Sequence, residues 1–164
     1  AGTTSIGISL PAGQYNATVE YDGRIVTSLV TVKSTMEGQN LVKYYRNDSQ
    51  YYIRVLDTNG NPLAGKKVRF NINGVFYERN INQTGMARLN INLRPDTYII
   101  TAINPENGEM YSNNVTVLST LIYNHDIEKY YKSDKKYWVF LLDGQGNPYA
   151  GQKVKFNING VFYL

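Results

Sequence analysis

Few residues in this chain of 164 have the types and spacing that chemistry requires. His125 is the only histidine and there is no cysteine, which removes a His/Cys metal cage and leaves any nucleophile–base pair hanging on one side chain. That histidine sits between two repeated stretches and reads as a solvated linker residue. The 13 acidic residues are dispersed over turns and outer faces, whereas general acid–base catalysis needs two carboxylates converging on a cleft. Asp57 and Asp143 each precede a turn ending in Gly-Asn-Pro. A carboxylate there caps turn N–H groups; Ca²⁺ ligation is the sharper alternative, although the spacing is not that of an EF-hand loop. There is no glycine-rich phosphate loop and no serine nucleophile elbow. The expectation is a protein that is not an enzyme and uses no cofactor or metal.

Three other kinds of chemistry stay open. Asn16, Asn47, Asn82 and Asn114 head N-x-S/T sequons, which serve as glycan acceptors if the chain passes a glycosylating membrane. Lys43, repeated as Lys129, falls on a first strand and Asn113 or Asn114 on a last one. Lys43 and Asn114 are therefore candidates for an isopeptide cross-link, the plainer reading being a solvated lysine. Tyr44, Tyr45, Tyr130 and Tyr131 would either stack on sugar rings or pack against a neighbouring unit.

The elements that position these residues are announced by a repeat. FNINGVFY occurs at 70–77 and again at 156–163, and 22 of the 35 residues from Lys43 to Tyr77 recur 86 positions later. LPAGQYNAT at 10–18 aligns with LRPDTYIIT at 93–101, and VTVKST at 30–35 with VTVLST at 115–120. A fixed period of this size sets the architecture. It divides the chain into the C-terminal half of one unit (1–40), a complete unit (41–125) and the N-terminal half of another (126–164).

Within the complete unit, apolar and polar residues alternate as they do in strands. Val68, Phe70 and Ile72 share one face of their stretch; Ala87, Leu89, Ile91 and Leu93 share one face of theirs. Seven strands are expected, at about 41–46, 50–58, 66–73, 75–80, 86–93, 97–104 and 110–118, broken by Asn-Gly and Asn-Pro turns. Short strands at this spacing imply an all-β, immunoglobulin-like antiparallel β-sandwich of about 86 residues. Tyr15 and Tyr98 each follow a leucine by five positions at the start of the sixth strand. This is the place of a corner tyrosine, with the ring inside and the hydroxyl on nearby backbone.

The stretches NGNPLAGKKVRFNINGVFY and INQTGMARLNINLRPDTYIITAINP resemble the Ig-like repeats of bacterial invasin-type surface proteins. They are closer still to repeats of adhesin-like surface proteins from methanogenic archaea. The resemblance covers nearly the whole chain and implies an extracellular, cell-surface module in a stalk or adhesive fibre, without catalytic residues. The net charge of +4 is scattered without a basic run, so no nucleic-acid partner is expected. No apolar run is long enough for a membrane-spanning helix, so no membrane insertion is expected of this segment.

Neither half unit closes a sandwich alone, because three or four strands leave an apolar face and an open edge in water. Joined, the halves make one domain, with only 79–83 lacking a counterpart. The expected partner is another copy of the chain, added head to tail into a filament. The assembly surface is expected at Tyr137, Trp138, Phe140, Leu142, Phe156 and Phe162, because that first stretch is apolar on both faces. The alternative is that covalently neighbouring repeats of a longer array complete the halves.

Overall fold

The computed structural model describes residues 2–164, and every regular element among them is a strand. In chain order these are β1 (Gly13–Tyr21), β2 (Arg24–Val32), β3 (Met36–Gly38), β4 (Leu41–Tyr44), β5 (Gln50–Val55), β6 (Lys67–Ile72) and β7 (Val75–Asn80). Then follow β8 (Met86–Asn90), β9 (Asp96–Ile103), β10 (Met110–Leu118), β11 (Leu121–Ile122), β12 (Phe140–Leu141), β13 (Phe156–Ile158) and β14 (Val161–Tyr163).

Strands β3 to β10 build a sandwich. One sheet has the order β3-β5-β8, the other β4-β10-β9-β6-β7. All pairs are antiparallel except β4 with β10. The chain therefore enters on one sheet, crosses at Gln39-Asn40 and continues on the other. Asn40 holds the crossing, its Oδ1 accepting from Asn114 N at 2.9 Å and Asn113 Nδ2 at 3.2 Å. This strand order is that of an immunoglobulin-like sandwich.

The inward faces are those that the alternation marked. Ile53, Val55, Val68, Phe70, Ile100, Ala102 and Val115 are buried between the sheets, with the Tyr51 ring edge-on to Phe70 at 6.0 Å. Gly38 lets the entry strand lie close, since a Cβ there would meet the Tyr51 hydroxyl at 2.5 Å.

One boundary differs from expectation. The sandwich begins at Met36, which is buried in it, and not at 41. Three residues are too few to show alternation, so β3 was invisible in the sequence and fell to the preceding half.

Outside the sandwich only local hairpins form. β1 pairs with β2 through the two-residue turn Asp22-Gly23, both at positive φ as a type I′ turn requires. Its register matches β9–β10: Tyr15 lies opposite Val30 as Tyr98 lies opposite Val115. Two residues in place of the longer 105–108 turn account for the change of repeat offset between these strands. β13–β14 likewise copies β6–β7, pairing Phe156 with Tyr163 as Phe70 pairs with Tyr77. Residues 2–12 and 126–139 form no strand, although their counterparts include β8 and β4.

Candidate assembly surfaces

The central unit is an internal template for the segments that flank it. Its β8 residue Leu89 is 1% exposed, while the counterpart Ile6 is 88% exposed. Ile72 is 2% exposed and its counterpart Ile158 is 62% exposed. Ile8 and Val19 show the same reversal against Ile91 and Ala102, and Leu10 is exposed where Leu93 is partly buried. Both flanking segments thus present, to solvent, faces that the central unit keeps inside.

The C-terminal segment nevertheless holds the central unit's geometry. Tyr137 meets Phe156 with ring centroids 6.0 Å apart at 75°, the arrangement of Tyr51 and Phe70. Leu142 N bonds Thr120 O at 2.7 Å as Leu56 N bonds Thr35 O at 2.7 Å. Asp143 Oδ1 accepts from Gln145 N and Asn147 N as Asp57 Oδ1 accepts from Asn59 N and Asn61 N. The two aspartates are thus engaged in capping their turns, and no group of three or more metal-ligating side chains occurs among the described residues.

The template sorts the six residues of the expected assembly surface by the face they occupy. Trp138 is 51% exposed, but so is its counterpart Tyr52, at 50%, in the closed unit. Phe140 stands where Arg54 points outward, and Phe162 where Phe76 lies exposed beneath Arg69, whose guanidinium is 4.4 Å from the ring centroid. Lys155 covers Phe162 in the same way. Period-2 geometry puts these three on outer faces whether or not the unit is closed. Leu142 is already buried. Of the six expected residues, Tyr137 and Phe156 face inward, Tyr137 exposed and Phe156 partly covered, joined by partly covered Val139 and Val154 and by exposed Ile158. The outward aromatics cluster with the linker instead: Tyr123 on Phe140 at 5.6 Å, His125 on Trp138 at 4.8 Å. His125, expected as a solvated linker residue, is exposed and lies tilted against the Tyr137 and Trp138 rings.

Lys43 is buried, its ammonium donating to Ile91 O at 2.6 Å and Ser49 O at 3.1 Å. Burial lowers its pKa, with Asp48 pulling the other way. Asn114 points outward from β10, so the structure does not bring the two isopeptide candidates together. Lys129 repeats half of this arrangement: its ammonium donates to Lys135 O, the counterpart of Ser49, at 3.1 Å.

The hydroxyl of Tyr98 donates to Arg94 O at 2.7 Å and that of Tyr15 to Pro11 O at 2.6 Å, each four residues upstream. Among the sequons, Asn16, Asn82 and Asn114 are exposed. Asn82 Oδ1 accepts from Thr84 N, Thr84 Oγ1 and Met86 N, leaving its amide nitrogen outward. Asn47 differs, because its Nδ2 donates to Gly144 O at 2.7 Å. Here the turn of the C-terminal segment seats on the central unit. A Cβ on Gly144 would lie 2.8 Å from Arg46 O, and one on Gly146 2.5 Å from the Tyr44 ring.

One cluster went unseen in the sequence. Thr35 donates through N and Oγ1 to Glu109 Oε1, at 2.8 and 2.5 Å. Buried Asn104 donates to Thr35 Oγ1 at 2.8 Å and to Leu56 O at 3.0 Å. Together they latch the entry of the sandwich to its last hairpin. Burial disfavours the Glu109 charge, but hydrogen bonds from Thr35 and Ser34 outweigh it and hold the pKa below the ordinary value.

No family model and no curated protein matches the chain. Among solved structures it is similar to SGBP-B of the Bacteroides ovatus mixed-linkage glucan utilization locus, solved with a mixed-linkage heptasaccharide. The identity is 14% and the TM-score 0.33, over 71% of this chain and 32% of that one. It is also similar to domains 4–9 of the surface layer protein SbsC, at 15% identity and TM-score 0.35, over 92% of this chain and 30% of that one. The chain spans about a third of each, and overlap at this level carries no function across.

Proposed function

We propose that this chain is a structural segment of an extracellular surface fibre or stalk made of Ig-like units, its flanking segments completed by complementary segments of neighbouring copies. One observation carries the reading: Tyr137 and Phe156 keep the packing of Tyr51 and Phe70 while the face above them lies open. Covalent neighbours in a longer array would complete the segments in the same way; self-association of the isolated chain separates the two. Sedimentation and electron microscopy of the purified chain test it, with head-to-tail oligomers or filaments expected. A chain that stays monomeric at high concentration would sink the assembly form, as would filaments that persist after removal of residues 137–164.

A second reading is glycan binding through Tyr130 and Tyr131, which are almost fully exposed. Tyr44, the counterpart of Tyr130, lies against the Gly146 turn of the following segment, which favours packing. Strong, tyrosine-dependent signals on a glycan array would reverse that order.

A further inference from the structure

The central unit specifies which residues of a second copy would cover the C-terminal segment, and in what register. β6 pairs with β9 as Arg69–Ile103, Phe70–Ala102, Asn71–Thr101 and Ile72–Ile100. Carried to the flanking segments, these become Lys155–Glu20, Phe156–Val19, Asn157–Thr18 and Ile158–Ala17. The β5–β8 pairs become Tyr137–Ile6 and Val139–Thr4, and the β4–β10 pair of Lys43 with Val117 becomes Lys129–Val32. Exposed Tyr137 meets exposed Ile6, partly covered Phe156 meets exposed Val19, and the one newly created charge pair, Lys155 with Glu20, is of opposite sign.

The lysine is the most specific element. Lys43 has two carbonyl acceptors, one local in Ser49 and one across the sandwich in Ile91, just past β8 of the facing sheet. Lys129 has only the local one, at Lys135. The counterpart of Ile91 is Ile8, whose side chain is half-exposed at the surface of the N-terminal segment. Resting on the reading above, we propose that residues 3–33 of a second copy close over the C-terminal segment in the register of the central unit, the second copy's Ile8 carbonyl completing the clamp on Lys129.

A buried ammonium tolerates no slip. A one-residue shift turns every inward side chain outward, and a two-residue shift keeps the faces but moves the carbonyl about 7 Å away. The clamp therefore selects one register out of those that the apolar faces alone would accept.

The chain has no native cysteine, so introduced pairs report cleanly. Thr18→Cys with Asn157→Cys places two thiols directly opposite each other on the outer face, about 5 Å apart at Cβ. Asn16→Cys with Asn157→Cys is the control two residues out of register. Mild oxidation should give a ladder of disulfide-linked oligomers with the first pair and at least tenfold less with the second. Lys129, freely acetylated by a water-soluble amine reagent in the unlinked chain, should fall to the protection of Lys43 in the ladder. A ladder from both pairs alike, or only from the control, overturns the register while leaving assembly intact. No ladder from either overturns the underlying reading as well. Linkage confined to monomers shows that one copy closes on itself and overturns the second-copy partner. A ladder in which Lys129 stays as reactive as before overturns the clamp alone.

Discussion

The central unit and its flanking segments share a sequence pattern and differ in what that pattern becomes. Where both partners of a hairpin are close in the chain, the flanks reproduce the central unit: β1–β2 follows β9–β10 and β13–β14 follows β6–β7, register included. Where a strand needs a partner far away in sequence, the flanks have none. Residues 127–130, counterparts of β4, lack the strand that β10 provides, and residues 3–7 lack what β5 provides to β8. Local turn chemistry suffices for a hairpin, while strand status elsewhere depends on an available edge.

The largest test of this contrast is core truncation. Phe70→Ala should cost about 3–5 kcal/mol in urea unfolding of the central unit, as for other buried phenylalanines. Phe156→Ala in the dilute chain should change stability by less than about 1 kcal/mol, because its ring is only partly covered. Equal losses would mean that the C-terminal segment is already closed. Next comes the corner hydroxyl: Tyr98→Phe should lose about 1 kcal/mol, the usual worth of one such bond. Tyr15→Phe should leave global unfolding unchanged, since its hairpin stands outside the sandwich.

A smaller effect is expected at acid pH. The folded pKa of Glu109 lies below the unfolded one, so its latch stabilises the unit above the ordinary glutamate value and is lost as pH falls through the lowered value. Thermal melts of Glu109→Gln should therefore show a flatter acid limb than the parent; an unchanged limb would clear Glu109 of that role. The smallest effect on stability is expected from Gly144→Val, which should leave the melting of the central unit in place. It should nonetheless shift the Asn47 side-chain amide signal in an NMR spectrum, because the seat against Arg46 closes. A signal that does not move would mean the seat is not maintained in solution.

Much of the sandwich was legible because alternation and Asn-Gly turns are local signals; Val68, Phe70 and Ile72 could be placed inside from eight residues. β3 was not, being shorter than one full alternation. The continuous apolar run around Trp138 leaves its two faces undistinguished in the sequence: an outward aromatic on a half-exposed sheet looks like a strand buried on both faces. Tyr52 and Arg54 at the matching positions face solvent, a fact that the fold shows and the residue types do not. The latch at Thr35 joins residues about 70 positions apart, and nothing in a sequence marks Asn104 as the asparagine that is buried.

The Lys43 ammonium also bears on how this fold answers to its medium. Its direct partners are two backbone carbonyls rather than a carboxylate, and the residue is almost wholly buried. Backbone dipoles turned onto a buried ammonium are not screened as surface charges are, beyond whatever Asp48 adds at the rim. Moving from dilute buffer to strong brine should therefore leave the hold between β4 and the β8 side of the sandwich almost unaltered, a tolerance built into the backbone and independent of surface composition.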